Sequence, residues 1–231
     1  MEETGLKQKL LTLSRILYKE GFLDSFGHIS VRIPGKDYFY VTRGEPSGKG
    51  DFDAADLVKV DFQGNQLEGR GRPPVEVILH TVLHRSREDA GCVVHVHPYY
   101  CILMTVAGIK FTPITVQAAT LGWTVPSYDV ADLVVSPEEG ESFLQKIGNA
   151  KAILLKGHGI VTVGSTIEEA FYLTYTLEES ARFLVDAHRL GVANPLSQEE
   201  VQKRLDYVKS RPSDKGPYAK TWAYHEFKTR G

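Results

Sequence analysis

Cysteine, tryptophan and methionine are scarce in this chain, with two of each among 231 residues. Two cysteines, Cys92 and Cys101, are too few for a disulfide framework and form no CxxC pair, which predicts a reduced, intracellular setting. Long apolar runs are missing as well. Nothing approaches the roughly 20 residues that a spanning helix needs. Residues 1–21 have an amphipathic pattern in place of the unbroken apolar core and small-residue cleavage site of a secretory leader. The formal net charge is only −2 and basic residues are scattered, which gives no footing for nucleic acid or an anionic membrane. The expectation is a soluble, cytoplasmic protein. Internal repeats, linkers and low-complexity segments are absent too, so residues 1–231 are expected to form a single domain.

What is present is a mixture of strand and helix patterns. Leu6, Leu10, Leu13, Ile16 and Leu17 recur at helical spacing before Gly21. Strand-like runs follow at His28–Ile33, Tyr38–Val41 and Val58–Asp61, separated by turn residues such as Pro34-Gly35. Pro73-Pro74 predicts the opening of a helix that runs to about Arg87. Cys92–His97 is a β-branched run closed by Pro98, and Tyr99–Ala107 reads as a helix. Ile114–Gln117 and Gly122–Pro126 are open between strand and loop. A helix is expected over Pro137–Ile147, then strands at Ala152–Lys156 and Ile160–Val163 around Gly157-His158-Gly159. Thr166 and Glu169 are spaced as a capping box for a helix to about Leu190. The polar tail carries one expected helix, Gln198–Lys209, and an aromatic end around Trp222 and Tyr224. Without strict strand–helix alternation, the pattern fits a mostly antiparallel sheet flanked by helices.

Among these elements His95-Val96-His97 stands out. Residues two apart on a strand share a face, so both imidazoles project side by side at the strand end. By itself the pair is as well read as two histidines placed by chance. His158, between two glycines and two strands, sits at a tight turn where the backbone can approach closely or take positive φ. A glycine-flanked histidine is ordinarily a turn residue, but as a third ligand it completes a His₃ set suited to one divalent ion, Zn, Mn, Fe or Co. Glu76 falls in the first turn of the helix after Pro73-Pro74, where the helix dipole alone would favour a carboxylate. His80 and His84 follow it at four-residue steps. They are read as structural, because successive turns of one helix do not converge easily on one ion.

Together these residues spell a pattern. Gly27-His28-Ile29-Ser30-Val31-Arg32, the segment Thr42 to Gly48, Pro73-Pro74-Val75-Glu76, His95-Val96-His97-Pro98 and Gly157-His158-Gly159 resemble the class II aldolase/adducin family in order and spacing, over roughly residues 5 to 190. The resemblance implies a three-layer α/β/α sandwich with a central, mainly antiparallel sheet, and a homotetramer with active sites between subunits. It implies that His95, His97 and His158 bind the metal. It gives Glu76 two roles, as a ligand of the empty metal and as acid/base once substrate arrives. It also implies a substrate site drawn from Gly27, His28, Thr42, Arg43 and Arg72, with Trp222 and Tyr224 of the tail helping to cover a neighbouring site.

The chain departs from the sugar-phosphate aldolases of that family. His28 stands where they usually have asparagine, Pro73-Pro74 where they have a serine pair, and no obvious tyrosine follows Phe111. Prolines also lack the N–H groups that hold an anion at a helix start. The Gly-His-Ile-Ser-Val-Arg form is similar to the decarboxylase branch, which includes hydroxymethylpyridine-dicarboxylate and dihydroxyphthalate decarboxylases. In that reading His28, Arg32, Arg43 and Arg72 receive a carboxylate, with His28 partly charged at neutral pH; of the four, Arg32, inside a strand, is the most readily structural. The expectation is a metal-dependent carbon–carbon lyase on a small molecule, a decarboxylase before an aldolase. A non-catalytic adducin-like protein and an iron oxygenase on the same ligands are the other readings.

Overall fold

The computed structural model describes residues 2–45, 49–211 and 215–230. The chain begins with α1 (Glu3–Lys19), which ends where Gly21 takes φ +74°. Strands β1 (His28–Arg32), β2 (Tyr38–Thr42), β3 (Leu57–Asp61) and β4 (Gln66–Glu68) follow, then α2 (Val77–Ser86), β5 (Cys92–Val96) and α3 (Tyr99–Val106). After the short β6 (Ser127–Tyr128) come α4 (Pro137–Ile147), the hairpin β7 (Ala152–Leu155) and β8 (Gly159–Gly164), α5 (Ile167–Arg189), α6 (Gln198–Lys209) and α7 (Pro217–Thr229). The eight strands form one sheet in the order β4-β3-β2-β1-β5-β8-β7-β6. Every neighbouring pair is antiparallel except β6 with β7.

Strand alternation divides the core into two layers. Ile29, Val31, Val94, Val96 and Ile160 point to one face and pack with α1, α3, α5 and Trp222. Val93, Val161 and Val163 point to the other and pack with Leu79, Val82 and Leu83 of α2 and Phe143 of α4. Helices thus cover both faces, which is the α/β/α sandwich expected. The same alternation carries His28 and Ser30 of β1, and His95 of β5, to the α2 side. Among the described residues no helix is long and apolar enough to cross a membrane.

Several local expectations are corrected. Pro73-Pro74 does not open α2. A proline disfavours helical backbone in the residue before it, Arg72 bridges Glu45 as a strand partner, and Val77 N–H closes a turn onto the Pro74 carbonyl. The helix starts at Val77, so Glu76 is its N-cap residue and not part of its first turn. Ile114–Gln117 and Gly122–Pro126 are not strands. The Thr115 hydroxyl accepts from Ala118 N–H and steers the chain into a 3-10 turn, Ala118–Leu121. Thr166 caps α5 as expected, but Glu169 turns back to Ser165 N–H and Oγ, so the reciprocal half of the box is not made on Thr166. The aromatic tail is a helix, α7, started by Gly216-Pro217.

Candidate metal centre

The site is built where β5 and the β7–β8 hairpin end side by side. His95 pairs across the sheet with His28 on one side and Val161 on the other. His97 follows one residue beyond the strand. The hairpin turn is Lys156-Gly157-His158, closed by the Leu155–Gly159 pair. Gly157 has φ +62°, and a Cβ at Gly159 would stand 2.4 Å from the Val96 carbonyl and 2.8 Å from the His97 ring. Both glycines flanking His158 are therefore required, one for its conformation and one for the close approach of β8 to β5.

The three rings converge. Centroids of His95 and His97, His95 and His158, and His97 and His158 lie 4.9, 4.9 and 5.3 Å apart. One nitrogen of each falls within 4.8 Å of the others. His95 Nδ1 donates to the Ile160 carbonyl at 3.0 Å and His97 Nδ1 to Asp24 Oδ1 at 3.1 Å, which leaves Nε2 of both rings as lone pairs facing each other at 3.2 Å. Glu76 Oε2 completes the group, 3.4 Å from His95 Nε2 and 3.5 Å from His158 Nε2. Ligand atoms about 2.0–2.1 Å from one tetrahedral ion stand about 3.3 Å apart. The donor set and its spacing therefore fit a single divalent cation.

Electrostatics agrees with that role. Burial, reinforced by His95, pushes the His97 pKa down to about 4, and burial likewise lowers His158, so both rings are neutral with a lone pair to offer at pH 7. Burial opposes the charged form of Glu76. The adjoining His95 and His158 rings and the Val134 N–H outweigh it and hold the carboxyl below its ordinary range.

Glu76, His97 and His158 of the cluster line a cavity of about 930 Å³, with His95 buried behind them. Arg72 and Lys156 also line it, and among the described residues neither cationic head has a hydrogen-bond or ion-pair partner. Glu45 and Asp132 stand on the same lining, and Phe26 (77% exposed), Val75 and Leu133 give it apolar surface. Of the residues expected to bind substrate, His28 and Arg72 line the cavity. The others do not. Gly27 packs behind it, where a Cβ would stand 3.1 Å from the His95 carbonyl. Thr42 is buried and its hydroxyl accepts from Ile29 N–H. Arg43 pairs with Asp56 at 3.2 Å and lies over Phe52. The segment's remaining residues, Pro46–Gly48, lie outside the described residues. Trp222 is buried against Phe171, and Tyr224 is 62% exposed on α7, off the cavity of its own chain. Arg32 donates to the Arg87 carbonyl, a structural role. Asp24 and Lys156 were not singled out from sequence. The Asp24-Ser25-Phe26-Gly27 stretch did carry a signal, since Asp24 accepts from Phe26 and Gly27 N–H as a turn-forming aspartate does.

Comparison with known proteins identifies the family. Residues 8–185 match the family described as Class II Aldolase and Adducin N-terminal domain. The chain belongs to this family. It is 32% identical over 206 residues to a 3,4-dihydroxyphthalate decarboxylase of Arthrobacter keyseri, covering 84% of this chain and 83% of that one. It is 28% identical over 183 residues to an L-fuculose phosphate aldolase of Methanococcus maripaludis (strain C5 / ATCC BAA-1333), covering 78% and 96%. Among solved structures, an L-fuculose 1-phosphate aldolase superposes with a TM-score of 0.83 at 22% identity, over 90% of this chain and 98% of that one. That likeness shows the shared fold.

Proposed function

We propose that this family member is a divalent-metal-dependent carbon–carbon lyase, and specifically a decarboxylase of a hydroxylated aromatic or heteroaromatic carboxylate. The observation that carries the reading is the convergence of His95, His97, His158 and Glu76 on one point beside a cavity that is also lined by two cations, Arg72 and Lys156, without an ion-pair partner among the described residues. A cation bound by the three histidines would supply Lewis-acid stabilisation of the negative charge left when the carbon–carbon bond breaks. Arg72 and Lys156 receive the anionic end of the substrate. Decarboxylation breaks the bond to the carboxylate carbon, releases CO₂ and leaves its electron pair on the ring carbon, which must then take up one proton. Glu76, anchored through Oε1 by Val134 N–H, handles that proton at Oε2 or through a water it orients. Phe26 and Val75 offer apolar surface to the substrate ring. The similarity to the dihydroxyphthalate decarboxylase supports the choice of reaction. The active unit in this reading is a homotetramer of single-domain chains, in which the exposed Tyr224 reaches a neighbouring cavity.

The test is a panel of hydroxylated benzoates, phthalates and pyridine carboxylates with Zn²⁺, Mn²⁺, Fe²⁺ or Co²⁺, following CO₂, with light scattering on the same sample. Metal-dependent CO₂ release from a tetramer is expected; no CO₂ from any member overturns the decarboxylase assignment. The second reading, an aldolase, draws on the similarity that extends over 96% of the methanococcal aldolase. Release of an aldehyde fragment from a hydroxy-keto compound, phosphorylated or not, would select it.

A further inference from the structure

Behind the cavity wall four buried side chains are linked in series. His28 and Ser30 share one face of β1, and His80 and His84 share one face of α2. Two residues along a strand advance about 6.6–6.8 Å and four along a helix about 6 Å, so the two pairs run in step. His28 Nδ1 meets His80 Nε2 at 2.7 Å, and His80 Nδ1 meets Ser30 Oγ at 2.6 Å. Ser30 Oγ meets His84 Nε2 at 2.7 Å, and His84 Nδ1 meets the Ala90 carbonyl at 2.9 Å. All four side chains are at most 2% exposed, yet His28 at the outer end lines the cavity.

The carbonyl at the inner end sets the direction of every proton. It only accepts, so His84 carries its hydrogen on Nδ1. Burial, with the Arg32 guanidinium adding to it, pushes the His84 pKa down to about 3, so that ring is neutral and its Nε2 is a lone pair. Ser30 therefore donates to His84. Its hydroxyl has one hydrogen, so towards His80 it accepts, and His80 carries its hydrogen on Nδ1. Burial disfavours a second hydrogen on the His80 ring, so His80 accepts at Nε2 from His28 Nδ1–H. Moving the hydrogen of any one ring to its other nitrogen would set two donors or two lone pairs against each other in a buried place.

We propose that this chain makes His28 a recognition residue of fixed polarity: its hydrogen is held at Nδ1 by His80, and Nε2 meets the bound molecule as a hydrogen-bond acceptor that selects a hydroxyl group on the substrate ring. His80, Ser30 and His84 are positioning residues. The proposal deepens the reading of the cavity as a site for a hydroxylated ring carboxylate and rests on it. It also divides the labour: a carboxylate has no hydrogen to give to Nε2, so it belongs on the side of Arg72 and Lys156, in place of the sequence-based expectation that His28 would receive it.

Two measurements on the zinc-loaded protein test this. Neutron diffraction from crystals exchanged into D₂O should place deuterium on Nδ1 of His28, His80 and His84, and on Ser30 Oγ directed at His84. Deuterium on His28 Nε2 with a bare Nδ1 overturns the chain, and this result needs no variant. Calorimetry then compares benzoate with 3-hydroxybenzoate and 4-hydroxybenzoate, in which the hydroxyl is too far from the carboxylate for both to chelate one ion. At least one hydroxylated probe should bind about two- to tenfold more tightly than benzoate. Ser30→Ala should erase that preference while benzoate affinity holds, and Ser30→Thr, which keeps the hydroxyl, should restore it. Equal affinity for all three probes in the wild type overturns the recognition role, and a full preference in Ser30→Ala overturns the positioning role. Failure to take up zinc would instead count against the metal-dependent reading, with the deuterium pattern still deciding the chain.

Discussion

Two sets of three histidines lie on the α2 side of this sheet, and the same side chain does different work in each. In His95 and His97 of the outer set, Nδ1 is tied back to a carbonyl or a carboxylate, and Nε2 points into a shared space that otherwise holds Glu76. In the inner set, His28, His80 and His84, the rings are threaded in series through Ser30 to the Ala90 carbonyl. The sets touch through His28 and His95, with rings 4.8 Å apart. The comparison teaches that the chemistry of a buried imidazole is set by what meets its Nδ1. Tied backwards one at a time, the rings pool their lone pairs into a cation site. Linked head to tail, they order protons along the series, and His28 at its outer end offers an atom within 4.8 Å of Glu76 and His95.

Breaking the outer set should have the largest effect. His95→Ala removes the central ligand, and metal content by elemental analysis should fall from about one ion per chain to near zero, a larger loss than the roughly 10–100-fold that an outer-shell partner is worth. Full occupancy in that variant would dissolve the distinction between the two sets. Glu76→Gln keeps an oxygen for Val134 N–H but loses the charge and the proton-handling group. A fall in kcat of about 10²–10⁴-fold is expected, with unfolding free energy within about 1 kcal/mol of wild type. Near-normal turnover by Glu76→Gln would remove it from the reaction.

Smaller changes sharpen the comparison. Asp24→Ala frees His97 Nδ1 and should weaken metal affinity about 10–100-fold in competition titrations with a chelator; unchanged affinity would mean that the ring is oriented by packing alone. For the inner set the readout is pH. His84 titrates at about 3 in the fold and near 6.5 in an unfolded chain. Above pH 6.5 neither state takes the proton, so this residue gives no slope. Between about 6.5 and 3 the unfolded state binds a proton that the folded state does not, and stability falls as pH falls, by at most about 1.4 kcal/mol per pH unit. Urea melts from pH 7 to 4.5 should show a shallower decline for His84→Gln than for wild type. Equal slopes would mean that His84 takes up its proton inside the fold.

Much of the fold was legible because its signals are local. The helices expected over Pro137–Ile147 and Gln198–Lys209 have those bounds, and the structure adds the reason: Ser136 and Glu139 cap α4 reciprocally, as Ser197 and Glu200 cap α6. The β7–β8 hairpin follows from Gly157 and Gly159. Where a signal depended on a distant partner, the reading missed. Arg72, just before Pro73-Pro74, is held extended by a bridge to Glu45, 27 residues earlier in the chain by residue number. Arg43 and Thr42 belong to a motif, yet their side chains are taken up by Asp56 and Ile29, away from the cavity.

The sequence by itself determined which groups were available: an HxH pair on a strand end, a histidine in a glycine turn, a carboxylate near the start of an expected helix, and two more histidines one helical turn apart. Periodicity also determined their faces, since two-residue and four-residue spacings place side chains whatever the partner. Only the tertiary structure decided what each group does. The acceptor that orients His95 lies 65 residues further along the chain, that of His97 lies 73 residues back, and Ser30 meets His84 across a separation of 54. A tautomer is chosen by hydrogen-bond partners, and those partners are brought to a ring by sheet order and helix docking, which no short stretch of sequence encodes.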